Sequence, residues 1–210
     1  MTDNNSNRSA DIAAKVISSV FHPLFMPAYG MLIILFAPTM FGFLPFSVKK
    51  IIMMIILANN VVLPLTMLPY FKYRDIIKTW RMETREERVL PLVTTNFFYL
   101  ISVYVFWKFH TPVFIKAFVL SAAVMATSVT IINFWWKISV HAVGAGSLLA
   151  LVIVLSITMH APLFIMMILS VLIAGLILTA RLWLNSHNPV EVWTGFFLGL
   201  LGSGAVLLFL

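Results

Sequence analysis

The chain has 210 residues, of which 61% are hydrophobic and only 10% are charged, and its mean hydropathy is +1.02. A soluble domain carries roughly 25% charged residues, so this composition excludes a soluble globular protein and indicates a single integral membrane domain. With no cysteine, the chain can form no disulfide, thiolate metal site or cysteine nucleophile. The net charge is +7, but most basic residues lie close to apolar stretches. This favours lipid head groups or an anionic substrate over nucleic acid.

The N-terminal segment, residues 1–25, is polar at first and then weakly amphipathic. Its mixed charge, and the lack of a small-residue cleavage site after a short apolar run, argue against a signal peptide. We therefore expect an interfacial helix here. The remainder, residues 26–210, is predicted to be one transmembrane domain.

Seven apolar stretches approach the roughly 20 residues that a helix needs to cross a bilayer. They lie at residues 26–45, 50–70, 89–108, 112–132, 138–159, 162–181 and 191–210. The first is interrupted by Pro27, Pro38 and Pro45, so six spans plus a re-entrant or interfacial segment is the alternative. Because lipid cannot hydrogen-bond to free backbone groups, we predict an all-α, polytopic transmembrane bundle of six or seven spans.

Small residues recur every fourth position in spans five and seven. The two stripes are Ala142, Gly146 and Ala150, and Gly195, Gly199 and Ser203. Such stripes let membrane helices approach closely, so we expect spans five and seven to pack together, with His141 and His187 at their shared end. The asparagines in or near spans are expected to make hydrogen bonds between helices. They are Asn59, Asn60, Asn96 and Asn133.

Three polar clusters follow spans two, four and six, and the parity of the spans places all three on one face of the membrane. The first is the stretch 72–88, which contains six basic and four acidic residues. The second contains Lys137, Ser139 and His141, and the third contains Arg181, His187 and Glu191.

The third cluster has the most informative spacing. His187 and Glu191 are four residues apart and so face the same way on a helix. Glu191 can then accept a hydrogen bond from one ring nitrogen of His187 and leave the other free as a nucleophile. The alternative is an interfacial arginine at position 181 that extends to the head groups, beside a helix start that carries an unrelated histidine.

The other two clusters suit the binding of a phosphoryl group. The Ser139 hydroxyl can donate to a phosphoryl oxygen and His141 can protonate a leaving oxygen, although a helix N-cap beside an interfacial histidine also explains this pair. The guanidinium and ammonium groups of the first cluster match phosphate oxygens. They belong to Lys78, Arg81, Arg85 and Arg88. A positive-inside loop, or pairing with neighbouring glutamates, is the alternative for most of these.

In this order, the three clusters resemble the type-2 phosphatidic acid phosphatase / vanadium haloperoxidase superfamily. Its third motif is Ser-Arg, five residues, His, three residues, Asp; here Arg181, His187 and Glu191 keep the spacing, with Ala180 for Ser and Glu for Asp. The second motif, Pro-Ser-Gly-His, survives as Ser139-Val140-His141. The first, Lys, six residues, Arg-Pro, is matched only in spacing, by Arg81 with Arg88 or by Lys78 with Arg85.

The resemblance implies a membrane phosphatase that hydrolyses a lipid phosphomonoester or a polyprenyl diphosphate without metal or cofactor. It implies His187 as the nucleophile that forms a phosphohistidine, Glu191 as its orienting carboxylate and His141 as the acid for the leaving oxygen. The phosphoryl oxygens are then held by basic and hydroxyl side chains. These are Arg88, Arg181, Ser139 and one of Lys78 or Arg81.

The sequence leaves a second reading of function. A divergent family member that has lost turnover can act as a lipid-binding, transport or scaffold protein, and the proline-broken spans and buried asparagines favour this alternative. In either case we expect membrane lipids as partners, no nucleic acid, and a location in the inner membrane of a bacterium. The sequence does not decide which side of the membrane the clusters face. The positive-inside rule favours the cytoplasm, whereas the superfamily often acts on the outer face.

Overall fold

A computed structural model describes residues 2–79 and 84–210 of the chain, and the helices account for most of both ranges. The α-helices in these two ranges are α1 (Thr2–Val20), α2 (Met26–Phe36), α3 (Phe46–Leu57), α4 (Leu63–Tyr73), α5 (Arg85–Lys108), α6 (Val113–Asn133), α7 (Val140–Thr158), α8 (Phe164–Trp183) and α9 (Pro189–Phe209). Short 3-10 turns follow α1 and α2, and a π-helical turn at Ala58–Val62 joins α3 to α4.

Seven helical stretches in the described ranges are long and apolar enough to cross a membrane. They are Arg8–Phe36, Phe46–Tyr73, Arg85–Lys108, Val113–Asn133, Val140–Thr158, Phe164–Trp183 and Pro189–Phe209. The prediction of an all-α, polytopic helical bundle is therefore confirmed, and the chain is an integral membrane protein.

The predicted bounds of the first span, 26–45, are wrong. α2 ends at Phe36 because Ala37 precedes a proline and is held extended, with φ −62° and ψ 154°. Its 11 residues reach only about 16 Å at 1.5 Å per residue, so the apolar stretch that can cross begins earlier, at Arg8. Beyond Phe36 the chain forms a 3-10 turn, and the buried Lys49 ammonium donates to the carbonyl of Gly42 at 2.7 Å.

α7 forms the centre of the bundle and packs most closely against α9. A Cβ atom added at Gly146 would lie 2.1 Å from the Phe196 carbonyl oxygen, and one added at Gly199 would lie 2.0 Å from the Val143 oxygen. Further along the contact, the Ser203 hydroxyl donates to the Ser147 hydroxyl at 2.8 Å. The predicted packing along the two small-residue stripes is therefore confirmed.

Polar contacts also join the helices around this centre. The Ser102 hydroxyl donates to the Asn60 carbonyl oxygen at 2.5 Å, and the Thr127 hydroxyl donates to that of Asn96 at 2.9 Å. Asn133 donates to the backbone oxygen of Arg85 at 3.1 Å. The expectation of hydrogen bonds between helices is confirmed for these three asparagines.

Candidate active site

The turn after α8 returns the chain to the bundle. The Ser186 N–H donates to the Arg181 carbonyl at 3.3 Å and the Asn185 N–H donates to the Leu182 carbonyl at 3.0 Å, which is the pattern of a Schellman cap. Asn185 has φ 47°, and asparagine adopts this left-handed conformation more readily than most residues. The cap reverses the chain, so that His187 faces back toward α8.

A capping box begins α9 immediately afterwards. The Asn188 side chain accepts from the Glu191 N–H at 2.9 Å, and the Glu191 carboxylate accepts in return from the Asn188 N–H at 3.3 Å. The other carboxylate oxygen accepts from the Asn188 amide group at 3.1 Å. Glu191 is thus held in one orientation, and its Oε2 lies 2.7 Å from Nδ1 of His187.

His187 is a buried, oriented histidine, with only 7% of its surface exposed. Since a carboxylate oxygen only accepts, Nδ1 donates to Glu191 and Nε2 of the neutral ring keeps a free electron pair. Burial, the largest cause, and the positive charges of Arg88 and Arg181 lower the pKa of His187 to about 4, against the opposing effect of Glu191. The ring is therefore neutral near physiological pH.

The start of α7 is tied directly to this pair, because the Ser139 N–H donates to the backbone oxygen of Glu191 at 3.3 Å. Ser139 is fully buried, and its hydroxyl has no hydrogen-bond partner among the described residues; the same holds for Nε of Arg181. Buried donors without partners are costly.

A cavity of about 900 Å³ opens beside these groups. Its polar wall combines Asp11, Lys15, Ser18, His22, Arg88, Lys137, His141, Arg181 and His187. Its other walls run between the helices and are mostly apolar; they include Pro27, Leu68, Tyr99, Phe118, Met125 and Leu148. The hydroxyls of Ser121, Ser147 and Ser203 also line these walls. A cavity with one charged wall and a mostly apolar interior suits an amphiphile with an anionic head.

Six of the eight predicted site residues meet here. Four line the cavity, namely Arg88, His141, Arg181 and His187. Glu191 and Ser139 do not line it, but Glu191 bonds to His187 and Ser139 bonds to Glu191.

The two remaining residues belong to the first cluster. Lys78 is exposed in the connection after α4, where its carbonyl accepts from the Lys72 ammonium, and it does not line the cavity. Arg81 lies outside the described residues. Arg85, the partner considered for Lys78, donates to the backbone oxygen of Trp135 at 2.8 Å. It therefore links the start of α5 to the end of α6. Among the described members of this cluster, Arg88 is the one that lines the cavity.

Sequence reasoning missed the contribution of the N-terminal segment. His22 belongs to no recognised motif, yet it lines the cavity and its ring centroid lies 5.5 Å from that of His141. Ser18 contacts both His141 and Arg181. No local spacing could have revealed these contacts, since 123 residues separate Ser18 from His141.

The described side chains contain no group of three or more histidine, aspartate or glutamate residues arranged to hold a metal ion. That the site needs neither metal nor cofactor stays a prediction.

No protein-family model matches the chain, and no curated protein or solved structure shows significant similarity to it. The resemblance to the phosphatase superfamily therefore depends on the three motifs alone. Family membership stays a prediction, and the function must be argued from the geometry of the site.

Proposed function

We propose that this protein is a membrane lipid phosphatase of the type-2 phosphatidic acid phosphatase kind, located in the inner membrane of a bacterium. One observation carries the proposal: His187, oriented through Nδ1 by a fixed carboxylate, lies with two guanidinium groups at the charged wall of a cavity whose other walls are mostly apolar. A neutral histidine beside concentrated positive charge suits nucleophilic attack on a phosphoryl group.

In the first step, the free electron pair on Nε2 of His187 attacks phosphorus and the bond from phosphorus to the leaving oxygen breaks. Glu191 stabilises the positive charge that the ring acquires. Arg88 and Arg181 hold the phosphoryl oxygens, and His141 gives its proton to the leaving oxygen. Phosphoryl transfer needs mainly such positioning and charge stabilisation.

In the second step, a water molecule attacks the phosphohistidine and loses a proton to His141. The bond from phosphorus to Nε2 breaks, inorganic phosphate forms, and His187 returns to its neutral state. His141 is thereby ready to act as an acid again, so the cycle is balanced without a further reactant.

The apolar walls of the cavity support a lipid substrate. An alkyl or prenyl tail that enters between the helices keeps the phosphate at the polar wall, and its burial contributes roughly 0.8 kcal/mol for each methylene group. A phosphomonoester and a diphosphate of a lipid present the same terminal phosphoryl group to His187.

A lipid-binding protein without turnover is the second candidate. This candidate is supported by the number of donors to Glu191, whose carboxylate accepts hydrogen bonds from the Asn188 N–H and amide group as well as from His187. Each added donor weakens the carboxylate as a base and so lessens the activation of His187.

Phosphate release from a panel of lipid phosphates and polyprenyl diphosphates separates the two candidates. We expect the purified protein in detergent to release phosphate from at least one of them, and His187→Ala to release none. His110→Ala is the matched control, because His110 is exposed and lies away from the cavity. Lipid binding without release by well-folded protein would favour the second candidate.

A further inference from the structure

The N-terminal helix is attached to the site end of the bundle. The Trp183 indole donates to the Asp11 carboxylate at 2.8 Å, and the Arg181 guanidinium donates to the Ser18 hydroxyl at 3.4 Å. Ser18 is 9% exposed, whereas Val16 on another face of α1 is 54% exposed. α1 therefore presents a defined face to the cavity wall.

His141 is oriented by this face. Its Nε2 lies 3.1 Å from the backbone oxygen of Ser18, and because a carbonyl only accepts, Nε2 is the donor. The His22 ring packs edge-on against His141 and is itself fixed, since its Nδ1 accepts from the Leu24 N–H at 3.4 Å. With Nε2 engaged, Nδ1 is the ring nitrogen of His141 left for chemistry.

We propose that the Ser18 carbonyl positions His141 for proton transfer, as Glu191 does for His187, so that the N-terminal helix completes the active site. The inference rests on the proposed function. When His141 is protonated, Nε2–H stays on Ser18 and Nδ1–H faces the substrate. The Nδ1 proton passes to the leaving oxygen as the bond to phosphorus breaks, and the attacking water later returns a proton to Nδ1.

A displaced α1 should therefore slow the first step, formation of the phosphohistidine, only for substrates whose leaving oxygen needs an acid. Ser18→Leu places a bulky side chain at the contact and moves the carbonyl away, whereas Ser18→Ala keeps the carbonyl and loses only the hydroxyl. Val16→Leu is the matched control on an exposed face of the same helix. An alkyl lipid phosphate needs a proton on its leaving oxygen, but 4-nitrophenyl phosphate does not, because nitrophenolate leaves readily without one.

For the lipid phosphate, we expect Ser18→Leu to lower kcat about tenfold with little change in KM, a part of the 10²–10⁴-fold that general acid catalysis contributes. With 4-nitrophenyl phosphate, the rate of nitrophenolate release in the first turnover, which precedes the step in which His141 accepts a proton from water, should stay within about twofold of the wild type in Ser18→Leu. Val16→Leu should retain kcat for both substrates, and Ser18→Ala, which keeps the carbonyl but loses the hydroxyl that accepts from Arg181, should affect both substrates alike.

Two results would overturn the proposed role of Ser18 without contradicting the proposed phosphatase activity. One is Ser18→Leu behaving as Val16→Leu does with the lipid phosphate. The other is an equal loss of the first-turnover rate with both substrates, which indicates general damage to the fold. If the wild type releases phosphate from neither substrate, the proposed function fails, and this inference fails with it.

Imidazole ¹⁵N–¹H spectra test the contact itself without any turnover. We expect one slowly exchanging Nε2–H signal that disappears in His141→Ala and exchanges rapidly in Ser18→Leu. A His141 ring protonated on Nδ1 alone in the wild type would contradict the assigned orientation.

Discussion

Glu191 has two roles at the level of single residues, as part of a helix cap and as the partner of His187. Glutamine also completes a capping box, so Glu191→Gln separates the two roles. We expect stability to fall by less than about 1 kcal/mol, whereas kcat for a lipid phosphate falls about 100-fold because the charge that stabilises the imidazolium is lost. Thermal unfolding and initial rates measure the two effects. Equal activity of Glu191→Gln and wild type would remove Glu191 from the mechanism.

The pH dependence of kcat/KM tests the state of His187. Burial and the two nearby arginines hold its pKa at about 4, and only the neutral ring attacks phosphorus. Activity should therefore persist through mildly acidic pH and fall about tenfold per pH unit only below that value. The acidic limb should move lower still in Glu191→Gln, since the carboxylate raises this pKa. An acidic limb at the ordinary histidine value, near 6.5, would contradict a buried nucleophile flanked by cations.

The same pKa shift affects stability. Between about pH 6.5 and about pH 4, His187 is protonated in the unfolded chain but neutral in the folded chain. Lowering the pH through this window therefore destabilises the fold through His187, and the contribution of this residue becomes constant below the window.

At the scale of helices, the contact between α7 and α9 holds His141 and His187 at one end of the bundle. Gly199→Ala places a methyl group 2.0 Å from the Val143 carbonyl oxygen, which is backbone and cannot rotate away. We expect the helices to separate, with a loss of roughly 1–3 kcal/mol and a large loss of activity. Gly175→Ala is the control, because nothing lies within 4 Å of the added atom, and it should be neutral or slightly stabilising. Full activity of purified Gly199→Ala would show that the close contact is not needed.

Much of the helix packing could be predicted from the sequence, because the residues that determine it recur at regular intervals. The small residues of α7 and α9 repeat every fourth position, and His187 and Glu191 share a helix face by spacing alone. The first span was not predictable in the same way. Pro38 fixed the end of α2, but the stretch before it runs back to Arg8 through the polar and amphipathic residues of α1, whose low mean hydropathy does not indicate a span.

At the scale of the whole molecule, the cavity is built from elements far apart in the chain. The positions of Arg88, His141 and His187 could be anticipated, since the parity of spans places their clusters on one face. The positions of Ser18 and His22 could not be anticipated, because they depend on how α1 packs against α8. That is a tertiary contact for which no residue near Ser18 gives a signal.

Different residues form the apolar walls and the charged wall of the cavity. We therefore predict that a substitution can weaken binding of the lipid tail without changing the reaction of the phosphoryl group. Ala122 lines the cavity on α6, and Ile131 on the same helix is exposed. Ala122→Trp should occupy the space of at least two methylene groups and lower kcat/KM for a lipid phosphate about tenfold, at roughly 0.8 kcal/mol each. Its rate with 4-nitrophenyl phosphate should be unchanged, and Ile131→Trp should affect neither substrate. Equal losses with both substrates would mean that the apolar walls do not bind the tail.

The central claim is that His187 carries the phosphoryl group during turnover. The most direct test is to mix the protein with a ³²P-labelled lipid phosphate, quench it in alkali, where phosphohistidine survives, and locate the label by peptide mapping. The account predicts label on the peptide that contains His187 in the wild type and in His110→Ala, and none in His187→Ala. Phosphate release without label on His187, or label that persists in His187→Ala, would contradict it.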